Sequence, residues 1–145
     1  MFAQAFREIV APAVSPALLE LTYEGGETLP DLIREGVGMS GRQVRSVVDA
    51  GQAFYIGITE NPPRRWDEHR DTPGTSWERM TVLVQAPSSA VTKAIEQELL
   101  EQWSGKFLCH NVGKGGEHAS AGGPHFVYIL VGPPFLRRSA RHGQV

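Results

Sequence analysis

Apolar and polar positions alternate most clearly over QAFYIGIT, residues 52–59, with Phe54, Ile56 and Ile58 on one side and Tyr55, Gly57 and Thr59 on the other. A period of two in aromatic and β-branched residues predicts a strand with two different faces. MTVLVQ (80–85) and PHFVYILVG (124–132) have the same composition and predict two more strands, the second ended by Pro133 and Pro134. After the first strand, Asn61 stands as an N-cap before Pro62 and Pro63, whose missing N–H groups do no harm in a first helical turn. The helix that follows would carry Arg65, Trp66 and His69, with Arg65 and His69 one turn apart on one face.

AVTKAIEQELLEQW, opened by Ser88 or Ser89, has the composition and period of a longer helix. Val91, Ala94, Ile95, Leu99 and Trp103 share a broad face, and Glu98 falls near its middle, so a carboxylate is expected to point inward. Residues 1–50 predict a helical N-terminal extension or insertion: ALLELTY (17–23), a break at Glu24-Gly25-Gly26, then LPDLIREGVG and SGRQVRSVVDAG. There Ser40 reads as an N-cap and Gly51 as a C-terminal stop. NVGKGGEHASAGGPH (111–125) reads as a glycine-rich loop and residues 136–145 as a basic tail. Few strands with helices set between them predict a small α/β or α+β sandwich over 51–135.

Composition narrows the function. The 145 residues suit one domain. A formal charge of -2 means that any hold on nucleic acid must come from a local patch. Arg64, Arg65 and Arg70 supply one, Lys93, Lys106 and Lys114 could rim it, and Arg137, Arg138 and Arg141 belong to the tail. The single cysteine, Cys109, excludes an intramolecular disulfide and a four-cysteine zinc site, and favours an intracellular setting, cytoplasmic or nuclear. With no run of roughly 18 apolar residues, a soluble protein with no membrane partner is expected. His110, His118 and His125 match no zinc spacing, and GKGGEH lacks the form of a phosphate-binding P-loop.

Tyr55, Gly57, Arg65, His69, Glu98 and Asn111 are the candidates for chemistry, and their types suit phosphodiester cleavage. A phenol or imidazole can position and deprotonate water, an arginine can hold charge developing on phosphorus, and a carboxylate can hold a divalent metal. Gly57 would let a phosphate approach the strand, since no side chain stands in the way.

YIGIT followed by RRWDEH resembles the second and third motifs of the GIY-YIG endonuclease superfamily. The family's glutamate and asparagine would be Glu98 in AIEQE and Asn111 in CHNVG, with Glu96 a rival because it precedes Leu99 and Leu100. The resemblance covers residues 53–111. It implies a compact α/β domain with a three-stranded antiparallel sheet flanked by helices, and one divalent metal, Mg²⁺ or Mn²⁺, on the glutamate. Tyr55 and His69 would organise or activate water, Arg65 would contact the scissile phosphate, and Gly57, Thr59 and Arg64 would lie on the substrate side. Asn111 would brace the site.

The family's first motif, a GIY-type strand shortly before YIG whose tyrosine is a candidate general base, is replaced here by VRSVVDAG. LTY (21–23) could be that strand, with an insertion before YIG, giving Tyr23. HFVYIL (125–130) has the better local pattern but lies at the other end of the chain; in that case the domain is circularly rearranged and Tyr128 joins the site. The expected function is metal-dependent cleavage of DNA, with a homodimer or a separate DNA-binding partner supplying affinity. The alternative is a degenerate module that binds nucleic acid or a protein partner without cutting.

Overall fold

The computed structural model describes residues 14–22, 28–74, 76–111 and 124–134. Its elements run β1 (Leu19–Glu20), α1 (Leu29–Asp49), β2 (Gln52–Thr59), α2 (Pro62–Arg70), β3 (Arg79–Ala86), α3 (Ser89–Trp103) and β4 (His125–Pro134). The class is α/β, as the sequence predicts. The expected three-stranded antiparallel sheet needs correction: the sheet is four-stranded and mixed, in the order β1-β3-β4-β2. β4 is antiparallel to both β2 and β3, and β1 adds a parallel edge through Leu19 opposite Val84 and Glu20 opposite Gln85. Ser15, Leu18 and Leu21 donate their N–H groups to the carbonyls of Met80, Val82 and Gln85, so this short segment tracks β3. A strand of two residues shows no period in sequence, and only its tertiary partner creates it.

β4 is thus a central strand. HFVYILVG is nearly continuous in apolar residues, as a strand covered on both faces requires. Phe54, Ile56, Ile58, Val127, Ile129 and Val131 pack with Leu32, Val44 and Val47 of α1 and Val91, Ile95 and Leu99 of α3. On the other face Tyr128, Leu130, Met80 and Val82 pack against Trp66 of α2, with Tyr55, Trp77 and Phe126 beside them. Two helices cover one face of the sheet, and α2 stands on the other.

The expectation of a helix start at Ser40 is also corrected: α1 runs unbroken through it. The helix starts at Thr28, whose side chain accepts the Asp31 N–H while Asp31 accepts the Thr28 N–H, a reciprocal capping box. Leu32, Gly36, Ser40, Val44 and Val47 form one buried stripe, so packing overrides the glycines that suggest a break. Gly36 sits where α1 meets α3; a methyl there would run into the Ile95 side chain. Gly51, at φ 70, ends the helix and turns the chain into β2.

On α3, Ser88 is the N-cap, and the buried positions are Val91, Thr92, Ile95, Glu96, Leu99, Leu100 and Trp103. This arc is rotated from the face expected in sequence, because Thr92, Leu100 and Glu96 are inside it. Glu98 is therefore exposed, contrary to the inward orientation expected of it, whereas Glu96 is only 3% exposed.

Candidate functional site

Tyr55, Gly57 and Thr59 project from β2 toward α2, because Phe54, Ile56 and Ile58 take the core-facing side. Gly57 pairs with Tyr128 across the antiparallel ladder, and β4 carries that tyrosine on the same face. α2 starts at Asn61, whose side chain accepts the Arg64 N–H at 3.2 Å, and the basic residues His69 and Arg70 complete its last turn. Arg65 and His69 thereby stand over the Tyr128 ring.

The Tyr128 hydroxyl is the meeting point. Arg65 Nε donates to it at 3.3 Å, and His69 Nε2 lies 2.8 Å from it. Tyr128 is fully buried, whereas Tyr55, Arg65 and His69 are part-exposed, so a ligand reaches the last three first. Tyr55 stands against the His69 ring with centroids 5.0 Å apart and lies 6.3 Å from the Tyr128 ring. The His69 pKa is pushed down to about 4, first by burial and second by the Arg65 guanidinium, with the Glu68 carboxylate acting the other way. At neutral pH the imidazole is uncharged and able to accept a proton.

Gly57 has a role different from the one expected. The space above it is filled by Tyr128: a Cβ at Gly57 would lie 2.5 Å from the phenolic oxygen and 2.6 Å from Cζ. The missing side chain makes room for a tyrosine from the next strand rather than for a ligand. Thr59 is 4% exposed, and its hydroxyl accepts the Asn61 N–H at 3.1 Å, so it shapes the entry into α2 instead of facing a substrate. Asn111 braces the outer edge of β2, accepting the Ile56 N–H at 2.9 Å and donating to the Ile56 carbonyl at 2.7 Å. Phe54 and His110 extend this pairing through their backbones.

The arginines of α2 are compensated. Arg65 pairs with Glu68 at 3.0 Å, Arg64 with Glu60 at 3.9 Å, and Arg70 with Asp67 at 2.8 Å. Such surface pairs are worth only about 0–1 kcal/mol, so a phosphate can displace the carboxylates. Lys93, on α3, and Lys106, 6.0 Å from the Trp103 ring, belong with the helices of the opposite face and do not rim the cluster. Tyr23, Lys114, His118, Arg137, Arg138 and Arg141 lie outside the described residues.

The metal expected on Glu98 does not fit this geometry. Glu98 points to solvent from the helix that covers the other face of the sheet, and Glu96, though buried, is on that same helix. Among the described residues no three acidic, histidine or cysteine side chains converge on a common point.

No protein-family model, curated protein or solved structure matches the chain. No helix among the described residues is long and apolar enough to cross a membrane. Sequence reasoning missed Trp77, whose ring centroid is 6.4 Å from that of Tyr55. A tryptophan just ahead of a strand, in the polar stretch TSWERM, was the available signal.

Proposed function

We propose that the protein is an endonuclease that hydrolyses DNA phosphodiester bonds at the Tyr55–Arg65–His69–Tyr128 cluster, in a GIY-YIG-like domain with rearranged strand order. The observation that carries this reading is the Tyr128 hydroxyl, held between His69 Nε2 at 2.8 Å and Arg65 Nε at 3.3 Å. It joins a tyrosine from the last strand to the two residues that the YIG and arginine–histidine motifs single out. On this reading β4, hydrogen-bonded beside β2, plays the part of the family's first strand from the far end of the chain.

Arg65 exchanges Glu68 for a non-bridging phosphate oxygen and offsets the charge that develops on phosphorus. With Nε2–H donated to the Tyr128 oxygen, the other ring nitrogen of His69, Nδ1, takes the proton of the attacking water. The water oxygen bonds to phosphorus, the bond to the leaving oxygen breaks, and solvent returns a proton to that oxygen. Tyr55, part-exposed beside the imidazole, orients the water, while Tyr128 is a positioning residue. A phosphodiester beside Arg65 counters the guanidinium charge on His69 and moves its pKa up toward the working range of a base.

The GIY-YIG reading includes Mg²⁺ or Mn²⁺, which would supply charge neutralisation at the leaving oxygen. No step is assigned to it, since Glu98 faces away. That same observation favours the second reading, a module that binds nucleic acid without cutting it. Nicking of supercoiled plasmid at low salt separates the two. Cleavage by the native protein with Mg²⁺ or Mn²⁺ present, abolished by Arg65→Ala, is the expected result; a plasmid and a strand with unpaired nucleotides both left intact sink the nuclease.

A further inference from the structure

Beyond the reacting cluster, one sheet face carries a row of rings. From His69 it passes to Tyr55 at 5.0 Å, to Trp77 at 6.4 Å and on to His110, whose ring meets that of Trp77 edge-on at 5.1 Å. Each comes from a different part of the fold: α2, β2, the approach to β3, and the segment after α3 that follows the edge of β2. The indole lies over the sheet at Gly132, where a Cβ would sit 3.6 Å from its ring and 3.3 Å from the Ala53 methyl. Two small residues make the floor that lets a large ring lie there. Trp77, His110, Gly74 and Pro133 border a shallow cleft at this end.

The row has the wrong exposure for a core. Trp66 and Trp103 are each only 6% exposed, whereas Trp77 and Tyr55 are part-exposed and His110 is exposed. Neighbouring planes are tilted by 59°, 54° and 72°, so the rings do not stack on one another. Arg65, whose Nε reaches the Tyr128 hydroxyl, supplies a cation at the His69 end of the row. Accessible aromatic side chains beside a cation are what bind unpaired bases, whereas the bases of a continuous duplex present no free face to stack on.

We propose that Trp77, Tyr55 and His110 form a stacking platform for unpaired bases of single-stranded DNA leading into the cleavage centre. The substrate class is then a strand with unpaired nucleotides beside the scissile phosphate, such as a flap, an overhang or a bubble. The inference rests on the nuclease reading for its location, and it can fail separately.

The test is equilibrium binding of oligo(dT), an abasic strand of equal length and charge, and a blunt duplex, each checked to be intact at the end. Oligo(dT) should bind about 10-fold more tightly than either of the others and quench the emission of Trp77, the tryptophan that a base can reach since Trp66 and Trp103 are buried. Trp77→Ala should lose about 10-fold for oligo(dT) with little change for the abasic strand, and Trp77→Phe should keep most of the affinity. Equal binding of oligo(dT) and the abasic strand by the native protein overturns the platform even if no variant folds. DNA that is held in this base-dependent way but never cut removes the nuclease and leaves the platform standing; cutting without base dependence does the reverse.

Discussion

Gly57→Ala is the most informative single change. The new methyl would lie 2.5 Å from the Tyr128 oxygen, 2.6 Å from Cζ and 3.0 Å from Cε2. Nonbonded contacts need about 3.5 Å, so the ring must retreat by about 1 Å. It has no free space for that: Tyr128 is fully buried, with Trp66, Met80, Val82 and Leu130 in its cluster, and its backbone is fixed opposite Gly57 by the β2–β4 ladder. A shift of that size breaks the 2.8 Å contact with His69, because hydrogen bonds are lost by about 3.6 Å. Overpacking costs about 1–3 kcal/mol and a disrupted buried hydroxyl about 1–3 kcal/mol, so a loss of about 2–6 kcal/mol is expected in urea unfolding. Gly38→Ala is the control, since nothing lies within 4 Å of its Cβ position and it sits inside α1. It should gain about 0.5–1 kcal/mol. A Gly57→Ala protein within about 0.5 kcal/mol of the native one would show that Tyr128 does not occupy that space.

The His69 imidazole should titrate near 4 by NMR, against an ordinary 6.5. The folded protein holds this proton less tightly than the unfolded chain, so the contribution to stability rises with pH between about 4 and 6.5 and is lost as pH falls through that window. Arg65→Gln should move the titration upward, because the guanidinium charge is the second cause of the depression after burial; an unchanged value refutes that coupling. Asn111→Ala removes two hydrogen bonds from Ile56 at the edge of β2 and should cost about 1–3 kcal/mol, with faster hydrogen exchange at Ile56 as the local readout. Glu98→Ala should leave stability within about 0.5 kcal/mol of the native protein, since the side chain is exposed. If plasmid nicking is detected and Glu98→Ala abolishes it, the placement of that carboxylate away from the site is wrong.

The elements with strong local signals were legible in the sequence. QAFYIGIT alternates strictly and PHFVYILVG is apolar nearly throughout, while Asn61-Pro62-Pro63 and Ser88 announce their helices. The misplaced features depend on partners distant in sequence. β1 exists only because β3 offers an edge. The buried arc of α3 is set by which residues meet the sheet and α1, and a helical wheel weighted toward Val91, Ala94 and Ile95 centred it too close to Glu98. Within the site, Arg65 and His69 are joined by local helical spacing, so they could be paired from sequence. Their link to Tyr128 crosses 63 and 59 positions and is fixed by strand order, which sequence left open between Tyr23 and Tyr128. Gly57 stands out in the sequence, but its reason, the ring across the ladder, appears only with the register.

The most direct test of the reacting cluster is single-turnover cleavage of a DNA strand with unpaired nucleotides, comparing the native protein with Tyr128→Phe in Mg²⁺ or Mn²⁺. Tyr128→Phe keeps the buried ring and removes only the hydroxyl shared by His69 and Arg65. Cleavage by the native protein that falls by about 100-fold or more in Tyr128→Phe, with unfolding still cooperative, is the predicted result. Cleavage at the native rate by the phenylalanine variant would contradict the assignment of this hydroxyl to the catalytic site.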